Sequence, residues 1–251
     1  MKPIDFSPLE SNRFNLNIYR GQIDEFNVEE LKSIIFSNQI DILMVRMHSS
    51  SKPAHYELTT LGFNCLHADS LVYYSANLTS HAISAIKNDL TFEIITEANS
   101  GPMKEMIPEI FKDYQNHYFS NPFLDKEKIT AGYLEFALSH TRLTNNKISW
   151  YVKKNDIIAG FATCSFSKET KECVGVLYGI MPGFSGQKIY SDMMRFTQSY
   201  FSNLGLKRMI VSTQLQNYAV QRNWVREGFS LVDSYETYHI NAFLQHPLSL
   251  L

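Results

Sequence analysis

The sequence has 251 residues, with 23 Lys plus Arg against 25 Asp plus Glu and 44% hydrophobic residues. This composition is typical of a globular protein, and the length allows one large domain or two smaller ones. The net charge of −2, without basic tracts, excludes the electrostatic footprint on which nucleic-acid affinity rests. We therefore expect no nucleic-acid partner.

The sequence carries no targeting or membrane signal. Met1 to Phe14 lack the positive start, apolar run and small-residue cleavage site of a signal peptide. No stretch approaches the ~18 apolar residues that a membrane span needs, so we expect a cytoplasmic protein without a membrane partner. The three cysteines lack CxxC spacing, which favours reduced structural thiols over a disulfide framework or a zinc knuckle.

Elements near the start of the chain recur 166 residues later. A strand-like run from Ile40 to Val45 leads to the Gly62-Phe63 turn and a second strand-like run, Ser70 to Tyr74. At the same spacing the sequence predicts a strand over Leu206 to Val211, a helix over Tyr218 to Arg226, a Gly228-Phe229 turn and a strand over Tyr235 to Ile240. Either the unit is duplicated, or a common αβ unit occurs twice. In both copies the glycine fits the left-handed residue that commonly follows a helix.

The residues between the two copies predict a mixed αβ layout. The patterns indicate a strand over Thr91 to Glu97, helices over Met103 to Tyr114 and Lys126 to Ser139, a hairpin of Ile148 to Lys153 with Ile157 to Phe166, and a strand over Cys173 to Ile180. Pro108 fits the first helix only near its start or at a kink. The predicted fold class is α/β, an α+β mixed sheet, with a short unit at residues 1–85 and a larger one at 86–251.

The loop at residues 181–188 is the strongest candidate for a binding site. It follows the strand that ends at Ile180, and a helix begins at once at Ile189. Unpaired N–H groups and the helix dipole favour an anion such as phosphate at this point, and Lys188 adds a positive charge. Read alone, Gly186 is a weak signal and fits an ordinary turn between a strand and a helix better than a binding loop.

This strand, loop and helix, with Asn217 and the Gly228-Phe229 ending, resemble the GCN5-related N-acetyltransferase (GNAT) superfamily over about residues 90 to 242. In that family the loop reads Arg/Gln-x-x-Gly-x-Gly/Ala and binds the pyrophosphate of acyl-CoA. In this sequence Ser185 occupies the arginine position, and Lys188 and Tyr190 occupy the two small-residue positions. Only Gly186 matches, as the first glycine of the usual Arg-Gly-x-Gly start. The resemblance implies a GNAT fold preceded by a truncated GNAT-like unit, with acyl-CoA as co-substrate. The implied cofactor-binding residues are Ile180, Met181, Phe184, Ser185, Gly186, Gln187, Lys188, Ile189, Tyr190, Asn217 and Tyr218.

Trp224 lies where many GNAT members carry the tyrosine that protonates the departing thiolate. An indole N–H can donate a hydrogen bond but is not a proton source near neutral pH. Either the site is inactive, or thiolate departure needs no strong acid, because a thiol pKa near ~8.5 makes a tolerable leaving group. We favour activity, with Trp224 and Tyr178 as candidate catalytic residues and Tyr218 as a further substitute.

A polar and aromatic loop, Asp113 to Leu124, fits either a recognition site for a hydroxylated ligand or a helix cap with packing residues. Its His-Tyr-x-x-Asn-Pro stretch resembles the bacterial dTDP-amino-sugar N-acyltransferases, including the dTDP-fucosamine acetyltransferase type. The resemblance implies that His117, Tyr118 and Asn121 bind a nucleotide-linked 3- or 4-amino-dideoxyhexose for surface-glycan synthesis such as O-antigen.

In that mechanism a neutral amine attacks the thioester, and N–H groups near Ile180 and Met181 stabilise the oxyanion. His117 is the candidate proton acceptor, with substrate orientation or loop support as its other reading. Ser185 is not in a GxSxG nucleophile motif, and no metal-ligand spacing occurs, so no metal is expected.

Several alternatives stay open at this point. The acyl group is acetyl or a short hydroxyacyl such as 3-hydroxybutanoyl. The chain is an acyltransferase, or it is a non-catalytic acyl-CoA-binding module. A transferase of this kind could instead act on a peptide, polyamine or aminoglycoside amine, and a homodimer is compatible with the sequence.

Overall fold

A computed structural model describes residues 3–79, 83–142 and 144–247, apart from the side chain of residue 130. The strands are β1 (Asp5–Phe6), β2 (Ile18–Gln22), β3 (Ile42–His48), β4 (Asn64–Asn77), β5 (Thr91–Ile94), β6 (Lys147–Lys154), β7 (Ile157–Ser167), β8 (Glu172–Ile180), β9 (Arg208–Gln214) and β10 (Ser230–Asn241). The helices are α1 (Pro8–Phe14), α2 (Val28–Ser37), α3 (His55–Thr60), α4 (Met103–Ile110), α5 (Lys126–Leu138), α6 (Ile189–Asn203) and α7 (Tyr218–Arg226).

The strands form a mixed sheet, which confirms the predicted fold class. Their order is β1-β2-β3-β10-β4-β9-β8-β7-β6-β5. The pairs β2–β3 and β8–β9 are parallel, whereas β1–β2, β3–β10, β5–β6, β6–β7 and β7–β8 are antiparallel. Each parallel pair is joined through a helix, α2 in the first case and α6 in the second, as parallel strands require.

The chain divides into two compact units that do not follow the predicted boundary between residues 85 and 86. Unit 1 comprises residues 1–71, 115–129 and 233–251, and unit 2 comprises residues 72–114 and 130–232. Long strands cause this difference, because β4 and β10 each contribute residues to both units. The end of β10 pairs with β3 from Tyr235–His48 to Asn241–Ile42, so the last strand of the chain completes the N-terminal unit.

The 166-residue spacing is preserved in the structure. The strand β9 begins and ends 166 residues after β3, and α7 ends 166 residues after α3. Gly62 and Gly228 follow the two helices with φ of 80° and 86°, the left-handed conformation expected of a residue just past a helix end. A gene duplication as the origin of the two copies stays a prediction.

Most of the elements predicted between the copies are present within a few residues of their expected ends. The first predicted helix is shorter than its periodicity indicated: α4 ends at Ile110, and Pro108 lies inside it. At the β6–β7 hairpin, Asn155 and Asp156 have φ of 50° and 62°, the signs required by the favoured two-residue turn. The wholly buried Trp150, Tyr151 and Phe161 make these strands the centre of unit 2.

Each unit has its own apolar core. In unit 1, Leu31 and Ile35 of α2 pack with Leu43 and Val45 of β3. In unit 2 the largest cluster joins α6 and α7 to the sheet through Met194, Phe201, Val211 and other buried residues. In the described part of the chain, every helix is too short or too polar to cross a bilayer.

Candidate functional site

Unit 2 contains a sheet that opens between two parallel strands. The β8–β9 pairing runs from Glu172–Arg208 to Gly175–Val211, although both strands continue beyond it. Opposite β7, Thr163 pairs with Leu177 while Cys164 pairs with Gly175, so Val176 is the extra residue of a bulge. A bulge bends the strand that carries it. The bend therefore separates β8 from β9 directly after their last pair.

The opening leaves one backbone edge of β8 available. The Met181 N–H donates to the Ala159 carbonyl at 2.9 Å, which marks this pair as hydrogen-bonded. Because hydrogen-bonded and non-bonded pairs alternate in antiparallel strands, the N–H and C=O of Ile180 and Tyr178 point away from β7. The predicted oxyanion donor at Ile180 thus faces the opening, whereas the N–H of Met181 is already used.

A cavity of ≈ 890 Å³ lies along this edge in unit 2. Nine of the predicted residues line it: Tyr178, Ile180, Phe184, Ser185, Gly186, Lys188, Ile189, Tyr190 and Asn217. The sequence patterns did not indicate the others, which include Ser84, Lys87, Ile110, Phe111, Tyr114, Arg195, Asn223, Arg226 and Glu227. Most of these additional residues come from segments distant in sequence from the loop.

The loop at the mouth of α6 has the conformation of an anion site. Gly186 and Lys188 have φ of 76° and 63°, and Lys188 is the N-cap without a side-chain cap bond. The first main-chain bond of the helix runs from the Asp192 N–H to the Lys188 carbonyl, at 3.2 Å. The N–H groups of Ile189 and Tyr190 precede it and have no acceptor within the helix. Together with the helix dipole they favour a phosphate.

The charges that line the cavity are mostly positive. Lys87, Lys188 and Arg226 are exposed and, within the described residues, make no ion pair. Arg195 is instead fully engaged, because it donates to both carboxylate oxygens of Glu227 at 2.7 Å and to Asp192 at 2.8 Å. Three uncompensated cations suit a polyanionic ligand such as the phosphates of CoA.

Asp192 is a buried anchor that sequence patterns did not reveal. Its side chain is 0% exposed and accepts hydrogen bonds from the N–H groups of Lys87 and Asn88, each at 3.0 Å. Burial opposes its charged form, but these N–H groups and the Arg195 guanidinium outweigh burial and hold the pKa of the carboxyl below its usual value. Asp192 thereby fixes the 87–88 segment, and with it Lys87, beside the first turn of α6.

A second, smaller pocket of ≈ 80 Å³ lies where β8 and β9 separate. It shares Phe111, Tyr114, Tyr178, Tyr190, Asn217 and Val220 with the large cavity, so the two spaces are adjacent. Its floor contains Gly175 and Val211, the last paired residues of the two strands. Trp224 also lines it, and the indole Nε1–H donates to the Tyr190 hydroxyl at 3.1 Å.

Three predicted cofactor residues do not line the large cavity. The Gln187 side chain donates to the Gly183 carbonyl at 3.3 Å and accepts from Lys154 at 2.7 Å, which braces the loop. Tyr218 is 62% exposed and lines a different depression on α7. The N–H of Met181 is bonded to Ala159, as described above. Cofactor contacts from these three residues stay predictions.

The residues predicted to bind the acceptor, His117, Tyr118 and Asn121, belong to unit 1. The Nδ1 atom of His117 lies 2.8 Å from Nε2 of His239, and Asn121 donates to Asn241 at 2.8 Å. Burial, and then the charges of its neighbours, lower the pKa of His117 well below its usual value. Tyr118 donates to Glu10 at 2.8 Å. Roles for these residues in proton transfer or recognition stay predictions.

The protein was compared with known families and structures. Residues 107–229 match the model of the Acetyltransferase (GNAT) family. No curated protein matches the sequence. A conserved protein of unknown function from Staphylococcus epidermidis is 14% identical with a TM-score of 0.61, covering 96% of this chain and 90% of that chain. A GCN5-related N-acetyltransferase from Kribbella flavida is 9% identical with a TM-score of 0.57, covering 90% and 82%.

A tandem GNAT protein from the clavulanic acid biosynthesis pathway is 10% identical with a TM-score of 0.55, covering 84% of this chain and 67% of that chain. At these identities the structures establish the fold alone. The family match and the fold together define an acyl-CoA-dependent N-acyltransferase. The segment of residues 107–229 belongs to the GNAT superfamily. In the ranges that the structure describes, no cluster of three or more potential metal ligands occurs.

Proposed function

We propose that unit 2 binds acetyl-CoA and transfers its acetyl group to a primary amine. The observation that carries the proposal is one continuous cavity, running from the open edge of β8 to the N-terminus of α6. Pantetheine is an extended amide chain and pairs with the outward peptide groups of Tyr178 and Ile180, as a strand would. The diphosphate then lies at the α6 N-terminus, near Lys188.

In the proposed reaction the nitrogen lone pair of a neutral amine attacks the thioester carbon. The carbonyl electrons move to oxygen, which accepts a hydrogen bond from the Ile180 N–H. When the tetrahedral intermediate collapses, the C–S bond breaks and its electron pair stays on sulfur. The amine loses one proton to a base or to water, and the released thiolate gains one, so the products are an amide and free CoA.

The acyl group is proposed to be acetyl because of the size of the small pocket. Its volume is ≈ 80 Å³. A water molecule occupies about 30 Å³ of liquid, so the pocket accepts about three groups of that size, as an acetyl group requires. A 3-hydroxybutanoyl group has twice as many non-hydrogen atoms and needs a larger space.

The size argument is tested by changing the floor of the pocket. Val211→Ala enlarges it and should raise kcat/KM for 3-hydroxybutanoyl-CoA relative to acetyl-CoA. Val152→Ala removes the same two methyl groups from a buried residue of β6 that does not line the pocket, and it should leave the ratio unchanged. A wild-type enzyme that prefers the longer donor would contradict the acetyl assignment.

The proposed acceptor is a dTDP-linked 3- or 4-amino-dideoxyhexose used for bacterial surface glycans. The proposal is supported by the segment that contains His117, Tyr118 and Asn121, which resembles the dTDP-amino-sugar N-acyltransferases. This resemblance favours an amino-sugar substrate over other amines. If His117 accepts the proton, His117→Asn should lower kcat more than it raises KM. A change in KM alone would leave His117 a recognition role, and a loss of stability alone would leave it a structural one.

The experiment that tests the function measures thiol release from acetyl-CoA with a panel of amines. The panel contains 3- and 4-amino dTDP-sugars, a peptide, a polyamine and an aminoglycoside. Release with the dTDP-sugars above the no-acceptor rate supports the whole proposal, and release with another amine keeps the reaction but replaces the acceptor. Without release from any amine, the transferase proposal fails.

A second candidate function is a non-catalytic acyl-CoA-binding module. Trp224 favours this function, because its indole N–H is bonded to Tyr190 and cannot supply a proton to the thiolate. Calorimetric binding of acetyl-CoA without turnover across the panel would support this module. Measurable turnover with any amine removes it.

A further inference from the structure

Three tyrosines, Tyr114, Tyr178 and Tyr190, line the small pocket where the thioester would lie, and the hydrogen bonds of their hydroxyls differ. The Tyr178 hydroxyl donates to Thr197 at 3.1 Å and lies 3.0 Å from the Cys164 sulfur. The Tyr114 hydroxyl donates to the Gln214 side chain and contacts Thr213. The protons of both hydroxyls are therefore committed to side chains of the protein.

The Tyr190 hydroxyl is bonded in the opposite sense. It accepts the Nε1–H of Trp224 at 3.1 Å, and an indole can only donate. The oxygen is thus held by an acceptor bond while its own proton has no acceptor in the described part of the chain. Trp224 is 3% exposed and packs against Tyr74 with a centroid distance of 5.5 Å, so its indole is a fixed donor.

We infer that Tyr190 donates a hydrogen bond to the sulfur of CoA as it leaves, and that Trp224 is the residue that positions Tyr190. The inference rests on the proposed function, which brings the thioester to this pocket. As the C–S bond breaks, its electron pair moves to sulfur and the Tyr190 O–H donates to the new charge. The proton lost by the amine then reaches the thiolate through solvent, so Tyr190 remains neutral.

The surroundings of Tyr190 suit a donor that keeps its proton. Burial raises the pKa of its hydroxyl above the usual value. The hydroxyl therefore stays protonated throughout the pH range in which the amine is reactive. Since hydrogen bonds to charged groups are stronger than those between neutral groups, Tyr190 interacts more with the thiolate than with the thioester.

The first test needs no acceptor and no turnover. The pKa of the CoA thiol bound to the protein is measured from thiolate absorbance for wild type and Tyr190→Phe. A donor to sulfur should make the thiolate fraction in wild type about tenfold larger at a given pH, because a hydrogen bond to a charged group stabilises the charged form. Equal thiol pKa values in the two proteins would overturn the inference.

The second test measures kcat. Tyr190→Phe should lower kcat by about tenfold, with CoA affinity within about twofold of wild type, because Tyr190 donates a hydrogen bond to the thiolate and transfers no proton. Trp224→Phe should lower kcat less, and the double variant should be no slower than Tyr190→Phe alone, because both changes act through one hydroxyl. Tyr200→Phe removes a hydroxyl from the same helix, away from both pockets, and should leave kcat unchanged.

The outcomes separate this inference from the proposed function. If the wild-type protein catalyses the transfer and Tyr190→Phe is equally active, the role of Tyr190 is rejected and the transferase proposal stands. Additive losses in Tyr190→Phe and Trp224→Phe reject the positioning role of Trp224. A wild-type protein that fails to bind CoA rejects the proposed function and this inference with it.

Discussion

The two units contain equivalent parallel strand pairs that differ in one respect. In unit 1, every residue of β2 pairs with β3, from Ile18–Ile42 to Gln22–Arg46. In unit 2, β8 pairs with β9 for four residues and then leaves it at the Val176 bulge. The pairing of β1 with β2 has no such register shift. One extra residue in a strand thus distinguishes a fully paired strand from one with an open backbone edge.

The helices that follow these strands differ in the same direction. Helix α2 begins at Asn27, whose side chain accepts from the Glu30 N–H, and its first turn carries Glu29 and Glu30. Helix α6 begins at Lys188 without a side-chain cap, and Asp192, the acidic residue of its first turn, is paired with Arg195. The α2 N-terminus is therefore satisfied internally and repels phosphate, whereas the α6 N-terminus is open and attracts it. Unit 1 therefore has a parallel strand–helix–strand arrangement like that of unit 2, but without the uncapped helix N-terminus at which we propose that phosphate binds.

The largest expected effect concerns how the α6 N-terminus is held. Asp192→Ala removes a buried carboxylate that binds Arg195 and two backbone N–H groups. Glu227 still compensates the charge of Arg195 in this variant, but three donors lose their acceptor. Because each unsatisfied donor costs about 1–3 kcal/mol, we expect a loss of about 3 kcal/mol in the free energy of unfolding. Chemical denaturation followed by tryptophan fluorescence measures it, because Trp150 and Trp224 both belong to unit 2. Asp89→Ala, an exposed aspartate in the same segment, is the control, and an equal loss there would contradict the anchoring role.

The second effect is a pH dependence that should belong to unit 1. His239 is 0% exposed, and burial lowers its pKa to about 3. In the unfolded chain its pKa is near ~6.5, so below that pH the unfolded state takes up a proton that the folded state does not. Stability is therefore fully present above pH ~6.5 and falls by about 1.4 kcal/mol per pH unit as the pH decreases towards the folded pKa.

Far-ultraviolet circular dichroism during urea denaturation at a series of pH values measures this slope. His239→Gln should reduce it, whereas His55→Gln, an exposed histidine of α3, should not. His117, whose pKa is also lowered, contributes in the same direction. A slope that is unchanged in His239→Gln would show that another group titrates.

The third effect tests the closed helix N-terminus of unit 1. Asn27→Ala removes the α2 cap, which accepts from the Glu30 N–H at 3.1 Å. Such a cap is worth about 1 kcal/mol of stability. Acetyl-CoA affinity, measured by calorimetry, should stay unchanged because the predicted phosphate site lies in unit 2. A loss of CoA affinity in Asn27→Ala would break the distinction between the two N-termini.

Much of the secondary structure can be predicted from local sequence, and so can the loop at residues 181–188. The helix over Tyr218 to Arg226, the Gly228 ending and the loop before Ile189 depend on neighbouring residues, so patterns within the sequence predict them. The division into units depends instead on which distant strands pair. Local periodicity carries no information on that choice, and β10 could not be assigned to the N-terminal unit.

Some site residues could not be predicted from the sequence for a similar reason. Arg195 and Glu227 are 32 residues apart in sequence, and Tyr190 and Trp224 are 34 apart. The helical spacing of Asp192 and Arg195 was visible, but it does not distinguish a buried cluster from a surface pair. For Trp224 the sequence indicated the loss of a proton donor. The contact with Tyr190 required the three-dimensional structure.

The smallest effect tests the charge at the α6 N-terminus. Lys188→Ala should weaken acetyl-CoA binding by up to about fivefold, because an exposed ion pair with phosphate contributes up to about 1 kcal/mol. Lys188→Glu gives α6 the acidity of α2 and should weaken binding further. Both losses should shrink at high salt, since Lys188 is exposed and its interaction with phosphate is screened. Lys168→Ala, an exposed lysine in the β7–β8 turn, is the control. If affinity in Lys188→Glu equalled that of wild type at low salt, the phosphate would lie elsewhere, and the open N-terminus would not be what distinguishes the two units.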